Sequence, residues 1–276
     1  MPVEKSIRVE LFDLEHTLTS GQVFRCCRTG DGWTVCARDR MFSLRQTPGK
    51  LHFAGVDEQF IRRFLGLDHD LRSTLRRLAK FPQLRPALRA CEGMRIVRHD
   101  PWEALVSFIC SANSNIPKIA RSLEMMSKLL GLPISCGEHH WHAFPEPGTL
   151  ADAAVLRKTG IGYRAEYLAA TNNACPPGML EQLAQMPYDE AREQLKRLPG
   201  VGDKVADCVC LFGLGFGQAF PVDVWVMRAM RELFPQAGTT ERDIRRAAAE
   251  TFGGDAGYAQ QYLFHHQRST NRRATG

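Results

Sequence analysis

The sequence predicts an α+β chain, with a small antiparallel β-domain at the N-terminus followed by a mainly α-helical region. Two observations carry this. The first ~55 residues split into short apolar runs divided by turn-rich stretches, the spacing of small antiparallel strands. From about residue 57 the apolar positions instead recur every three to four residues, the period of a helix face. The change-over places one unit at 1–95, β-rich with some helix, and a second at 96–276.

In chain order, residues 24–27 and 33–37 flank the turn-rich 28–32, and residues 41–46 and 51–53 flank Thr47, Pro48 and Gly49, so each pair reads as a hairpin. Phe60, Phe64 and Leu67 then share one helix face, as do Leu71, Leu75 and Leu78. Trp102, Leu105, Val106 and Ile109 form a stronger face, followed by Ile119, Leu123, Met126 and Leu130. Further helices are expected at 150–157, 163–171, 188–198, 203–213, 223–233, 240–251 and 256–266.

Composition narrows the function classes. An apolar fraction of 44% and a charged fraction of 24% are those of a globular protein. No apolar run approaches the ~20 residues of a membrane span, so no membrane partner is expected. The start, MPVEKSIRVELFD, lacks a signal-type apolar stretch, and the nine cysteines follow no disulfide or zinc spacing. Both point to an intracellular protein without a metal or other cofactor. The net charge of +6 is compatible with a polyanionic partner but does not require one.

The chemistry concentrates around residues 188–213. Leu198, Pro199, Gly200, Val201 and Gly202 lie between two amphipathic helices. Glycines there permit positive φ and close backbone approach. The amides opening the next helix then offer a phosphate site, and Val201 can plug between the helices. This helix-hairpin-helix grips a nucleic-acid backbone without reading its sequence. An echo occurs at residues 160–168 (GIGYRAEYL), which also place Gly-hydrophobic-Gly before a helix.

Lys204 sits in the first turn after the hairpin, where the positive end of the helix dipole disfavours an ammonium and favours a nucleophilic amine. Asp223, in Phe220-Pro221-Val222-Asp223-Val224, stands at a second helix start, where the same dipole is expected to keep a carboxylate ionised. An amine and a carboxylate are what substitution at C1′ of a deoxynucleoside requires: the carboxylate stabilises oxocarbenium character while the amine attacks and forms a Schiff base. Taken singly, Lys204 reads as a surface lysine and Asp223 as an ordinary N-cap.

Residues 198–223 resemble the helix-hairpin-helix, Gly/Pro-rich loop and aspartate motif of the base-excision DNA glycosylases. No cysteine follows Cys210, which argues against the iron–sulfur branch of that superfamily. The wider chain, from Leu11 to about Gln267, resembles the 8-oxoguanine DNA glycosylases of the eukaryotic type. The carriers are residues 19–25 (TSGQVFR), 107–115 (SFICSANSN), 160–165 (GIGYRA), the hairpin, and 256–260 (AGYAQ) with Phe264. The resemblance implies a monomeric enzyme that excises 8-oxoguanine opposite cytosine from duplex DNA and cleaves the abasic site by β-elimination. It assigns Gly21 to the base's N7–H, Cys208 and Phe264 to its two faces, and Gln260 to its Watson–Crick edge. It assigns Asn113, Tyr163 and Arg164 to the vacated stack and the orphaned cytosine, and Gly200, Val201 and Gly202 to the DNA backbone.

Two positions depart from the family. Lys118 stands where a second cytosine-reading arginine is usual, and a lysine lacks the planar fork. Trp225 stands where a phosphate-binding histidine is usual. Weaker discrimination of the opposite base is therefore expected. Alkylated-base glycosylases usually lack the lysine, and a bare DNA-binding module needs none of Lys204, Asp223, Gly21, Gln260 and Phe264.

Overall fold

The computed structural model describes residues 3–136 and 139–274. Five antiparallel strands form one sheet: β1 (Lys5–Arg8), β2 (Cys26–Thr29), β3 (Gly32–Ala37), β4 (Arg40–Thr47) and β5 (Lys50–Ala54), in the order β1-β5-β4-β3-β2. Val35 lies opposite Phe42, and Leu44 opposite Phe53. All four are buried on the sheet's inner face. Helix α1 (Leu14–Thr19) and helix α2 (Glu58–Phe64) close over that face, with Phe60 and Phe64 both edge-on to Phe42.

The helical body continues with α3 (Leu71–Leu78), α4 (Arg85–Ala90), α5 (Pro101–Ser111) and α6 (Ile116–Leu130). A small hairpin of β6 (Pro133–Cys136) and β7 (His139–His142) follows. Then come α7 (Ala153–Arg157), α8 (Arg164–Ala174), α9 (Met179–Leu183), α10 (Tyr188–Leu195), α11 (Asp203–Phe212), α12 (Val224–Leu233), α13 (Glu241–Phe252) and α14 (Ala256–Ala274). Helices α3 and α4, before residue 95, bury their apolar faces in the same core as these later helices.

Most helices start on a side chain that caps their free amides: Asp13, Asp57, Asp70, Asp100, Asn115, Asp152, Asp223 and Thr240. Helix α11 differs. Its N-cap is Gly202, with no side-chain cap, so its first amides are left for a ligand. A ten-residue helix is marginal by itself. Burial of Val205, Val209, Leu211 and Phe212, each contributing roughly 1.5–3 kcal/mol, holds it.

A buried charge network locks α10 to α11. Arg192 donates to Asp207 at 2.7 Å and also to Asp203, while the Tyr188 hydroxyl donates to Asp207 at 2.7 Å. Asp207 is 1% exposed, and removing one partner of such a buried pair typically costs about 3–5 kcal/mol.

Each helix expected after residue 150 is present, most with ends displaced by a few residues, while α14 runs on to Ala274 rather than ending near 266. Among the described residues, β1, α1, α4, α9 and the β6–β7 hairpin escape the periodicity. Helix α1 has six residues, too few to display a 3.6 repeat. The first expected strand begins at Cys26 rather than Phe24, because Gln22 draws the preceding segment inward: its side chain donates to the carbonyls of Thr17 and Arg95 and accepts from the Val97 amide.

Candidate active site

A cavity of about 700 Å³ opens where the segment after α1, the loop between α5 and α6, α11, α12 and α14 converge. Gly21, Asn113, Gly200, Gly202, Lys204, Asp223, Trp225 and Phe264 all line it. Elements more than 200 residues apart in sequence thus supply one site.

Lys204 is half-buried on α11, and its Nζ donates to Ser111 Oγ at 2.9 Å. The ammonium also lies 5.3 Å from the centre of the Phe108 ring. Asp223 caps α12, with Oδ1 accepting from the amides of Trp225 at 3.0 Å and Val226 at 2.9 Å. Burial pushes its carboxyl above the usual range, against the opposing pull of the Val226 amide, the Lys204 charge and the Trp225 amide. Desolvation thus works against the helix dipole that favours the carboxylate at this position.

Gly21 has φ of +85°, and a Cβ there would come within 2.7 Å of Ile116 Cδ1 and 3.1 Å of Phe264 Cε1. Only glycine leaves that approach open. Gln260, Phe264 and Arg268 follow one another at four-residue intervals along α14, and so share a face. Gln260 is 4% exposed, and its Oε1 has no hydrogen-bond partner among the described residues. A buried unpaired acceptor costs stability and is retained where a ligand supplies the donor. Cys208 is buried among apolar neighbours, which pushes its thiol up to about 11 and keeps it neutral at physiological pH.

The sequence profile of the N-terminal domain of 8-oxoguanine DNA glycosylases matches residues 6–105. A probable N-glycosylase/DNA lyase of Methanothermobacter thermautotrophicus is 31% identical over 93% of this chain and 94% of its own. The chain belongs to the 8-oxoguanine glycosylase/lyase family. An N-glycosylase/DNA lyase of Arabidopsis thaliana is 32% identical, covering 90% of this chain and 75% of the relative. Among solved structures, the Clostridium acetobutylicum 8-oxoguanine glycosylase/lyase, in complex with double-stranded DNA containing cytosine opposite 8-oxoguanine, superposes with a TM-score of 0.93. It is 32% identical over 98% of both chains.

Tyr163, Arg164, Lys118, Val201, Cys208 and Gln260 are not among the residues that line the cavity of this glycosylase/lyase. Tyr163 is exposed at the start of α8, edge-on to Tyr167, and its hydroxyl accepts from Asn113 Nδ2 at 3.3 Å. Asn113 itself holds φ of +48°. Arg164 is turned inward. Its guanidinium donates to the carbonyls of Ala112 (Nε, 2.6 Å), Ile161 (2.9 Å) and Asn113 (2.9 Å), so it braces the Asn113 turn instead of projecting into solvent. Lys118 is exposed on the first turn of α6. Val201 is buried beneath the hairpin, and Gly200, at φ of +77°, lies against Tyr167 so closely that a Cβ would meet it at 2.7 Å. Trp225 stacks against the Arg228 guanidinium at 5.4 Å.

Sequence reasoning missed Ser111, Phe108, Ile116 and Arg268, all of which line the cavity. Ser111 and Phe108 lie inside the SFICSANSN segment, so a signal was present. Arg268 had none, because a lone arginine near a polar tail reads as a solvated charge. Asp203, at the rim, is raised by burial, but hydrogen bonds from Lys196 and Arg192 outweigh this and hold its carboxyl below the usual range. With Lys196 at 3.0 Å, its charge is matched before any phosphate approaches.

Proposed function

We infer that this enzyme removes 8-oxoguanine from duplex DNA and then cleaves the abasic strand through an imine on Lys204. The observation that carries this is the convergence of an amine (Lys204) and a buried carboxylate (Asp223) with Gly21 and Phe264 on one cavity. Duplex DNA seats its phosphates on the uncapped amides of α11, beside Gly200 and Gly202. The lesion swings into the cavity, at a cost of a few kcal/mol that Tyr163 and Asn113 offset by filling the stack.

Recognition follows from proton placement. The Gly21 carbonyl accepts N7–H, which 8-oxoguanine has and guanine lacks. Phe264 and Cys208 cover the two faces, and the Gln260 amide offers a donor and an acceptor to the Watson–Crick edge. Lys204, as the free amine, attacks C1′ while the C1′–N9 pair leaves with the purine, and Asp223 stabilises the positive charge that builds on the sugar. The ring-opened imine then acidifies the C2′ proton, whose loss expels the 3′ phosphate. As an enzyme of DNA repair it acts within the cell, and among the described residues no helix is long and apolar enough to cross a membrane.

Borohydride trapping tests this reading on duplexes carrying 8-oxoguanine or guanine opposite cytosine. A covalent adduct is expected with the lesion only, and none with Lys204→Gln. Undiminished trapping in that variant would assign the nucleophile to another amine.

A further inference from the structure

Arg268 sits one turn beyond Phe264 on α14, 8% exposed and lining the cavity. Its guanidinium carbon lies 5.5 Å from the centre of the Phe264 ring. Its Nη1 comes within 3.4 Å of the point where a Cβ on Gly21 would stand. Its Nη2 donates to the Thr19 carbonyl, at the end of α1, and lies 3.4 Å from His265 Nδ1.

The histidine behind it is part of the brace. Burial first, then the charges of Arg268, His16 and His266, pushes His265 down to about 3, so it stays neutral and keeps accepting. With Nδ1 accepting from Arg268, the ring proton belongs on Nε2, which lies 3.0 Å from His16 Nδ1 and donates to it. Cys91 completes a trio whose ligand atoms all lie within 4.8 Å of one another. A metal on His265 Nε2 would need the ring proton moved to Nδ1, directly against an Arg268 N–H. In this tautomer His16 and His265 form a proton-linked brace for Arg268.

We propose that Arg268 is a catalytic cation for base removal: held beside Gly21 and behind Phe264, it stabilises the negative charge that builds on the purine as the glycosidic bond breaks. This rests on the glycosylase reading above. The C1′–N9 electron pair departs with the purine, Lys204 Nζ supplies the new pair to C1′ and sheds a proton, and the purine anion takes up a proton. A fixed cation next to the edge that Gly21 reads lowers the energy of that anion in a water-poor cavity, where charge interactions exceed those in bulk water. Guanine's N7 lone pair would also accept from an arginine. Arg268 thus adds rate, while discrimination stays with the Gly21 carbonyl.

The experiment uses the full chain with Arg268→Met and Arg268→Lys, on two duplexes. One carries 8-oxoguanine opposite cytosine and the other a preformed abasic site, whose cleavage involves no departing base. For Arg268→Met, single-turnover base release is expected to fall at least tenfold, with lesion affinity and abasic-strand cleavage within about twofold of wild type. Arg268→Lys should restore most of the rate. Unchanged base release in Arg268→Met, or an equal fall in both reactions, would overturn the proposal, the second result marking a merely structural residue. Failure of the wild-type chain to release the base would instead overturn the glycosylase reading itself.

Discussion

Replacing Asp223 with asparagine separates the charge of this residue from its structural duty. The carboxylate caps α12 through one oxygen that accepts two amides, at 3.0 and 2.9 Å. Asparagine is as good an N-cap as aspartate, and its amide oxygen keeps both bonds, so stability should fall by less than ~1 kcal/mol. Asp223→Ala removes the cap as well and should cost about 1 kcal/mol more. The charge is another matter. Losing one preorganised electrostatic stabiliser of a transition state costs roughly 10²–10³ in rate, or about 2.7–4 kcal/mol. Single-turnover release of 8-oxoguanine should therefore slow by that factor in Asp223→Asn, with lesion-DNA affinity, read by fluorescence anisotropy, within about threefold of wild type. Because burial holds the Asp223 carboxyl above the usual range, the wild-type rate should rise with pH on its acid limb through a value higher than an ordinary aspartate's. The variant should lack that limb. Retention of more than a tenth of the wild-type rate, or a loss confined to binding, would refute the reasoning.

Three other perturbations probe separate parts of the fold. Gly21→Ala must accommodate a Cβ 2.7 Å from Ile116 Cδ1 at φ of +85°, a strain of about 1–2 kcal/mol; base release should collapse while cleavage of a preformed abasic site persists, and equal loss of both would contradict a base-recognition role. His265 has a folded-state value of about 3 against 6.5 unfolded, so the unfolded chain binds more protons in that window and stability falls as pH drops below 6.5. By pH 5 this amounts to about 2 kcal/mol, and urea midpoints of His265→Asn should decline less steeply than wild type. The comparison must be between variants, because Glu103, raised to about 6 by burial, contributes with the opposite sign. Lys118→Arg should sharpen the preference for cytosine opposite the lesion by up to tenfold, and identical rate ratios against all four bases would remove Lys118 from the explanation.

The positions legible in the sequence are those where one residue type answers a local demand. Gly202 before Lys204, the Pro221–Asp223 helix start and the four-residue step from Gln260 to Phe264 can each be interpreted within a few residues of chain. The SFICSANSN segment is legible as a motif, but the use of Ser111 by Lys204 is not, since it depends on α5 and α11 meeting 93 residues apart. Arg268 and His265 are farther from reach, because their partners Thr19 and His16 lie 249 residues away. The inward turn of Arg164 is also tertiary. The carbonyls of Ala112 and Asn113, together with that of Ile161, draw in a guanidinium that local sequence would send to solvent. Burial likewise opposes the local dipole argument for Asp223, and no property of the residues flanking it in sequence predicts how much water α11 and α12 exclude.

The two Gly-hydrophobic-Gly turns, at 160–162 and 200–202, gain a joint meaning from this packing. The first opens α8, which carries Tyr163 and Arg164, and the second opens α11, which carries Lys204. The helices are tied where Tyr167 packs on Gly200 and where Thr171 Oγ donates to the Pro199 carbonyl at 2.6 Å. Both also grip the loop between α5 and α6: Arg164 holds the carbonyls of Ala112 and Asn113, and Lys204 holds Ser111 Oγ. The groups assigned to the emptied stack and the nucleophile are therefore fastened to three consecutive residues, 111–113. A duplex that displaces Asn113 or draws Arg164 from its carbonyls acts, within two residues of backbone, on the hydroxyl that holds the Lys204 amine. On the proposed reading, extrusion and chemistry would share this segment, so a change at Arg164 should register in the rate of imine formation as well as in the choice of opposite base.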